Sequence, residues 1–440
     1  MFVFFLLPMM GSNIMQSLSG TINGIYLGQM LGVHAVSTVA VFFPILFLLI
    51  SFCIGLGSGG SVLIAQAYGA NEPLRVKAVA GTALTVSIFL GLVIAIFGGA
   101  FTKTMLTLIG TPADILADTT EYSRIFLLSA PLLFIFVLFT TITRGVGDTR
   151  TPFFALLLST STSLALTPAL IQGWFGLPRM GVISGAYASI VSFFVTVVWI
   201  VCYMLWKKHP LAPDRVFLRH LKVDWHILKL VLAIGMPTGL QIIFVSISEI
   251  AVLSFVNAFG SNATAAYGAV NQIVSYVQLP AISIGITASV FGAQAIGRND
   301  PSMLGQIART GIVLQFVITG SLILLAYIFS RTMLSLFITA PDVQDIAQGL
   351  LHITLWSYMV FGMAGVLSGV MRSSGTVWIP LSLSLLAVLG IQVPMSYWLS
   401  HRIGLQGVWI AYPIAFVAML IFQSAYFWFV WRKKTHTRLI

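Results

Sequence analysis

Long apolar stretches alternate with short polar joints along this chain, and each stretch is about as long as a bilayer is thick. No Asp, Glu, Lys or Arg occurs before Glu72. A spanning helix needs about 20 apolar residues, each rising roughly 1.5 Å through a hydrocarbon core of about 30 Å. The first 71 residues therefore hold two spans, which fold back near the glycines of LGQMLGVH (27–34). Single spans are predicted at 78–102, 125–143, 153–172 and 181–206. The second half offers two spans within 230–297, parted near NAFGSNATAA (257–266), then one each at 310–330, 346–371, 379–400 and 407–431. The total is twelve. Backbone groups in lipid must be satisfied within their own segment, so these are helices and not strands.

A longer period underlies the spans. QAYGANEP (66–73) returns as QAIGRNDP (294–301), and the register holds elsewhere at offsets of 226–229. Pro8 matches Pro237, Arg144 matches Arg372, Gly147 matches Gly375, Pro168 matches Pro394 and Gly181 matches Gly407. The chain thus divides into an N-lobe (1–206), a cytoplasmic linker (207–226) and a C-lobe (227–440). Six helices per lobe is an even number, so the lobes are parallel. Their pseudo-two-fold axis is expected along the membrane normal, with substrate between them near the midplane. The repeated phrase is predicted to close each lobe's second helix: glycine ends the helix, and Asn-acid-Pro makes the turn.

Composition removes the soluble alternatives. Apolar residues make up 58% and charged residues 8%, against roughly 45–50% and about 25% in soluble domains. A net charge of +11 would suggest nucleic acid in a soluble protein. Here it reports topology. With the N-terminus inside, the inner loops and C-terminal tail carry 17 of the 22 basic residues, which places both termini in the cytoplasm; the expected location is the plasma membrane, the inner membrane in a Gram-negative cell. No basic region precedes the first span, as a secretory signal would require. Seven residues precede Pro8, fewer than the helical residues ahead of Pro237, which leaves open whether the start is complete. Cys53 and Cys202 form no ligand spacing and no disulfide framework.

Ten of the eleven acidic residues fall in loops or at span ends. Glu249 lies deep within the seventh span, and an ionised carboxylate there costs several kcal/mol. An intramembrane acid with no Lys or Arg mid-span to pair with is a site for proton or cation exchange, including transient Na⁺; no structural metal is expected. Gln241 and Ser248 share its side of the helix and are candidates to add oxygens. In the first helix Ser12, Gln16, Ser19 and Asn23 form one polar stripe; Asn271, Ser275 and Gln278 repeat that spacing in the eighth. Such stripes either bind helices together or line a cavity. Pro8 and Pro237 are candidate hinges. Arg144 and Arg372, at matching inner corners, are snorkelling anchors or gate latches. No GxxxxGK[ST] phosphate loop is present, so transport powered by this chain alone must draw on an ion gradient.

These features together resemble the multidrug and toxic compound extrusion (MATE) family. The resemblance covers essentially the whole chain. It rests on the twelve spans in two parallel lobes, P-x(7)-Q-S-L-x(4)-N-G-x-Y-L-G (8–28), the doubled QAxGxN[ED]P, RGxGDTRTP (144–152) and the seventh-helix acid. It implies an all-α, V-shaped membrane transporter that exchanges inward H⁺ or Na⁺ for outward amphiphilic, often cationic compounds. Such a protein has no other cofactor, no enzymatic activity, a monomeric state and contact with membrane lipids. The family's first-helix aspartate falls on Asn23 here, and the tenth-helix acid of some sodium-coupled members has no counterpart in 346–371. Of the family's carboxylates, Glu249 alone carries over. Two rival readings fit less well. A lipid-linked saccharide flippase wants mid-span cations, and an intramembrane enzyme wants several cooperating polar groups.

Overall fold

The computed structural model describes residues 2–338 and 340–440, and it is helical throughout, with no strand among the described residues. Twelve spanning elements follow one another: α1 (Phe2–Leu31), α2 (Val33–Gly69), α3 (Pro73–Leu108), α4 (Leu116–Leu128 and Ala130–Ile142), α5 (Arg150–Gln172) and α6 (Ser184–Trp206), then α7 (Trp225–Asn257), α8 (Ser261–Gly297), α9 (Met303–Ile328), α10 (Pro341–Arg372), α11 (Trp378–Ile403) and α12 (Leu405–Phe429). Eleven of these are apolar enough to cross a bilayer as single helices; α4 makes the twelfth as a broken pair.

That break departs from the single continuous span expected at 125–143. The two halves of α4 bend by 55° at Ser129. Pro131 supplies no backbone N–H, and the Ser129 hydroxyl donates to the Phe126 carbonyl at 2.7 Å, so the ladder is interrupted from both sides. By contrast, Pro8 and Pro237 lie within unbroken helices. At Pro8 the carbonyl is engaged by the Ser12 hydroxyl at 2.9 Å.

Contacts divide the chain into two compact units, essentially Val3–Met236 and Pro237–Leu439. In the first, Phe42, Leu49 and Cys53 of α2 pack against Tyr122, Phe126, Leu133 and Phe134 of α4. Residues 207–224 fold onto this unit. Lys77 pairs with Asp214, His209 meets Asp148 at 3.3 Å, and Thr82 donates to the Lys222 carbonyl at 3.3 Å. A short helix, Arg215–Arg219, lies inside the segment, capped by the Asp214 carboxylate, which accepts from Phe217 N–H at 2.9 Å. In the second unit, α8 and α10 cross closely enough that a Cβ at Gly369 would stand 2.2 Å from the Gly285 carbonyl oxygen. Small residues permit such backbone approach between membrane helices.

The repeated phrase has one geometry in both places. Helices α2 and α8 end on Gly69 and Gly297, yet these glycines keep ordinary dihedrals. The left-handed residues are Asn71 (φ 58°) and Asn299 (φ 57°). Three backbone bonds recur: Ala70 N–H to Gln66 O and Arg298 N–H to Gln294 O at 3.0 Å, with Asn71, Glu72, Asn299 and Asp300 N–H closing the turn. Asparagine tolerates this conformation better than other residues with a side chain. The turn is thus made by Asn, and the preceding glycine only ends the helix.

Candidate functional site

Glu249 sits in α7 as the sequence places it, within the second unit. It is partly exposed, but its carboxylate is held by two phenols. Tyr267 of α8 and Tyr412 of α12 each lie 2.8 Å from Glu249 Oε2. The two hydroxyls stand 2.9 Å from one another. Both tyrosines are buried within the core of this unit, with Trp409 stacked on Tyr267 at 5.8 Å between ring centroids and 9° between planes. Tyr358 of α10 lies near enough to feel the carboxylate charge. Gln392 approaches from a π-helical turn of α11, Val388–Gln392. Gln392 is 1% exposed, and its Nε2 meets hydrogen-bond geometry with no partner among the described residues. Among the described residues, the side chains acting on Glu249 are Tyr267, Tyr412 and Gln392, none of them basic.

The other predicted residues divide. Asn271, one helical turn beyond Tyr267 on α8, adjoins the Tyr267 hydroxyl and so belongs to this cluster. Ser248 is fully buried with its hydroxyl unpartnered among the described residues. Gln241 and Gln278 are half-buried, and the Ser275 hydroxyl turns back to the Gln272 carbonyl at 2.7 Å. In the first unit, Asn23 of α1 is fixed against α5. Its Nδ2 donates to Ser163 Oγ at 3.2 Å, and its Oδ1 accepts from Thr167 Oγ1 at 3.1 Å. Gln16, on the same stripe, is exposed. Arg144 and Arg372 are half-buried, and in both the Nε atom is enclosed without a partner among the described residues.

Tyr267, Tyr412, Gln392, Ser163 and Thr167 were absent from the sequence-derived set. Tyr267 had a signal, since it extends the Asn271, Ser275, Gln278 stripe back by one turn. Tyr412 and Gln392 had none, because their meeting with α7 depends on how α11 and α12 pack.

The MatE family model matches twice, over residues 8–169 and 237–398. The chain belongs to the MatE family. Each match opens on one of the paired prolines, so the family unit is the lobe and this MatE protein contains two. Family members are transporters and not enzymes. The chain is 48% identical to the probable multidrug resistance protein YoeA of Bacillus subtilis over 438 residues, 99% of this chain and 95% of that protein. It is 24% identical to the multidrug export protein MepA of Staphylococcus haemolyticus, over 96% of this chain and 92% of that protein. Among solved structures, the Vibrio cholerae MATE transporter VcmN superposes with a TM-score of 0.91 at 18% identity, covering 99% and 97% of the two chains. A MOP superfamily transporter from Pyrococcus furiosus superposes with a TM-score of 0.89 at 24% identity, covering 99% and 96%. These structures establish the fold of the MatE protein as that of MATE transporters.

Proposed function

We propose that this MatE protein is a secondary active efflux antiporter. It exports amphiphilic, often cationic compounds in exchange for an inward cation, H⁺ or Na⁺, with Glu249 as the exchange site. It acts as a monomer in the plasma membrane with both termini in the cytoplasm. The observation that carries this reading is an acid within a spanning helix, held by two hydroxyls and by no base. A structural acid would be neutralised by a fixed arginine or lysine; an acid left to neutral donors can be neutralised in turn by an ion or a cationic drug. The multidrug names of two relatives support drugs as the cargo class. A saccharide flippase would want basic residues mid-span, and the sequence has none.

Efflux of ethidium from vesicles, driven by an imposed pH gradient or sodium gradient one at a time, tests the reading. Glu249→Gln keeps the side-chain volume and removes the charge, so it is expected to abolish gradient-driven efflux while the protein still inserts. Undiminished efflux by that variant would sink the proposal.

A further inference from the structure

We infer that Tyr267 and Tyr412 make Glu249 a proton-specific site, because the three oxygens form a ring that closes only when it holds three protons. The inference rests on Glu249 being the exchange site and adds which ion is exchanged there and which residues select it.

Glu249 Oε2, the Tyr267 hydroxyl and the Tyr412 hydroxyl form a nearly equilateral triangle with edges of 2.8, 2.8 and 2.9 Å. Every edge is of hydrogen-bond length for oxygen pairs. Each phenol carries one hydrogen and Glu249, when ionised, carries none. Two hydrogens cannot fill three edges. If both phenols donate to the carboxylate, the 2.9 Å contact between them sets lone pair against lone pair. Two donors on one carboxylate oxygen normally sit on its separate lone pairs, which holds them well beyond hydrogen-bond distance from one another. A protonated Glu249 removes the conflict. Its O–H donates to one phenol, that phenol donates to the other, and the second donates back to Oε2. Each oxygen gives once and accepts once.

The same closeness disfavours Na⁺. A hard cation gathers several oxygens around itself with their lone pairs turned inward. Here the three oxygens turn on each other at hydrogen-bond distance, closer together than oxygens sharing one cation stand. The groups facing Glu249 from the packed elements are Tyr267 of α8, Tyr358 of α10, Gln392 of α11 and Tyr412 of α12. None supplies a fixed charge at neutral pH. On loading, Glu249 Oε2 takes a proton from water, an O–H bond forms and the ring closes. On unloading that bond breaks, the proton returns to water and one edge is left empty. Gln392 Nε2 approaches the carboxylate and is a donor within reach of it once it is ionised.

The test uses the full chain in proteoliposomes with ethidium as cargo, and infrared difference spectroscopy of the same protein. A pH gradient alone is expected to drive transport in the wild type, and a sodium gradient alone is not. The spectrum at neutral pH is expected to show a protonated-carboxyl C=O band that Glu249→Gln removes. Tyr412→Phe and Tyr267→Phe each break two edges of the ring. Each should cut proton-driven transport roughly tenfold to a hundredfold, equivalent to about 1.4–2.8 kcal/mol of hydrogen bonding, and should shift the C=O band. If Tyr412→Phe fails to give monodisperse protein, Tyr267→Phe carries the test. Sodium-driven transport in the wild type, or wild-type proton-driven transport in a folded Tyr→Phe variant, would overturn the ring. The two failures are distinguishable. Full activity in Glu249→Gln defeats the exchange site itself; loss of activity there, with both tyrosine variants unaffected, defeats only the ring.

Discussion

Asn23 and Glu249 show how differently two polar side chains can be held within the same kind of helix. Asn23 has a donor and its acceptor committed to Ser163 and Thr167, so it already helps hold α1 to α5. An amide exchanges no proton near neutral pH. Asn23→Ala is therefore expected to change the concentration dependence of ethidium efflux by about tenfold or less, the worth of one or two neutral hydrogen bonds, while coupling persists. Complete uncoupling, measured as leak of the driving ion without dye movement, would place the first-helix stripe in the coupling site after all. Glu249 was legible in the sequence because a charge inside an apolar window has few structural explanations. Its phenol partners were not. Tyrosine is unremarkable in an apolar span, and Tyr412 lies 163 residues from the acid it meets. No local periodicity reports a contact of that reach.

At the scale of elements, the paired corners were legible as a helix-ending glycine followed by a turn of Asn, acid and Pro, because those residue types carry turn chemistry. The left-handed backbone belongs to Asn71 and Asn299. A β-branched residue there pays a conformational cost of about 1–2 kcal/mol. Asn299→Val should therefore lower the thermal midpoint in detergent, whereas Asn299→Gly should leave it nearly unchanged. Equal midpoints for Val and Gly would show that the backbone is not what the asparagine serves. The corner between α4 and α5 carries a pH dependence. Burial pushes the Asp148 carboxyl up, but hydrogen bonds from His209 and Thr151 together outweigh it, so the group lies below its usual range. A carboxyl depressed in the folded state contributes stability above its unfolded value of about 3.9 and loses it as pH falls through the lower folded value. Asp148→Asn is expected to lower the thermal midpoint at pH 7, and the gap to wild type should close only below about pH 4. A gap that is constant with pH would remove the charge from the explanation. The bend of α4 was not legible from span counting, which admitted only the apolar half after Ser129 and the last turn before it, because Asp118, Glu121 and Arg124 make the first half polar; Ser129 and Pro131 hold the signal, in hydrogen-bond chemistry that span counting ignores.

For the whole molecule, twelve spans and a two-fold repeat were legible because bilayer thickness and duplication both leave periods in the sequence. The arrangement of α11 and α12 beside α7 leaves none. On the proposed antiport, with Glu249 exchanged between ion and cargo, the two compete, and each tenfold of difference in affinity is worth about 1.4 kcal/mol. Equilibrium binding of ethidium to purified protein should weaken as proton concentration rises. Binding that ignores both pH and sodium would exclude a shared site.

The two lobes carry the same corners and paired prolines, but an acid stands within the spans of only one of them. Duplicated scaffolding with unduplicated charge sets the electrical character of the cycle. If a single proton enters for each monovalent cation that leaves, no net charge crosses the membrane. The potential, worth about 2.3 kcal/mol per charge per 100 mV to an electrogenic carrier, then does no work on this one. Clamping the voltage with a potassium ionophore should leave proton-driven efflux of a monovalent dye unchanged, while collapsing the pH difference should stop it. A divalent cargo would reverse the first result, since each turnover would then move one positive charge outward.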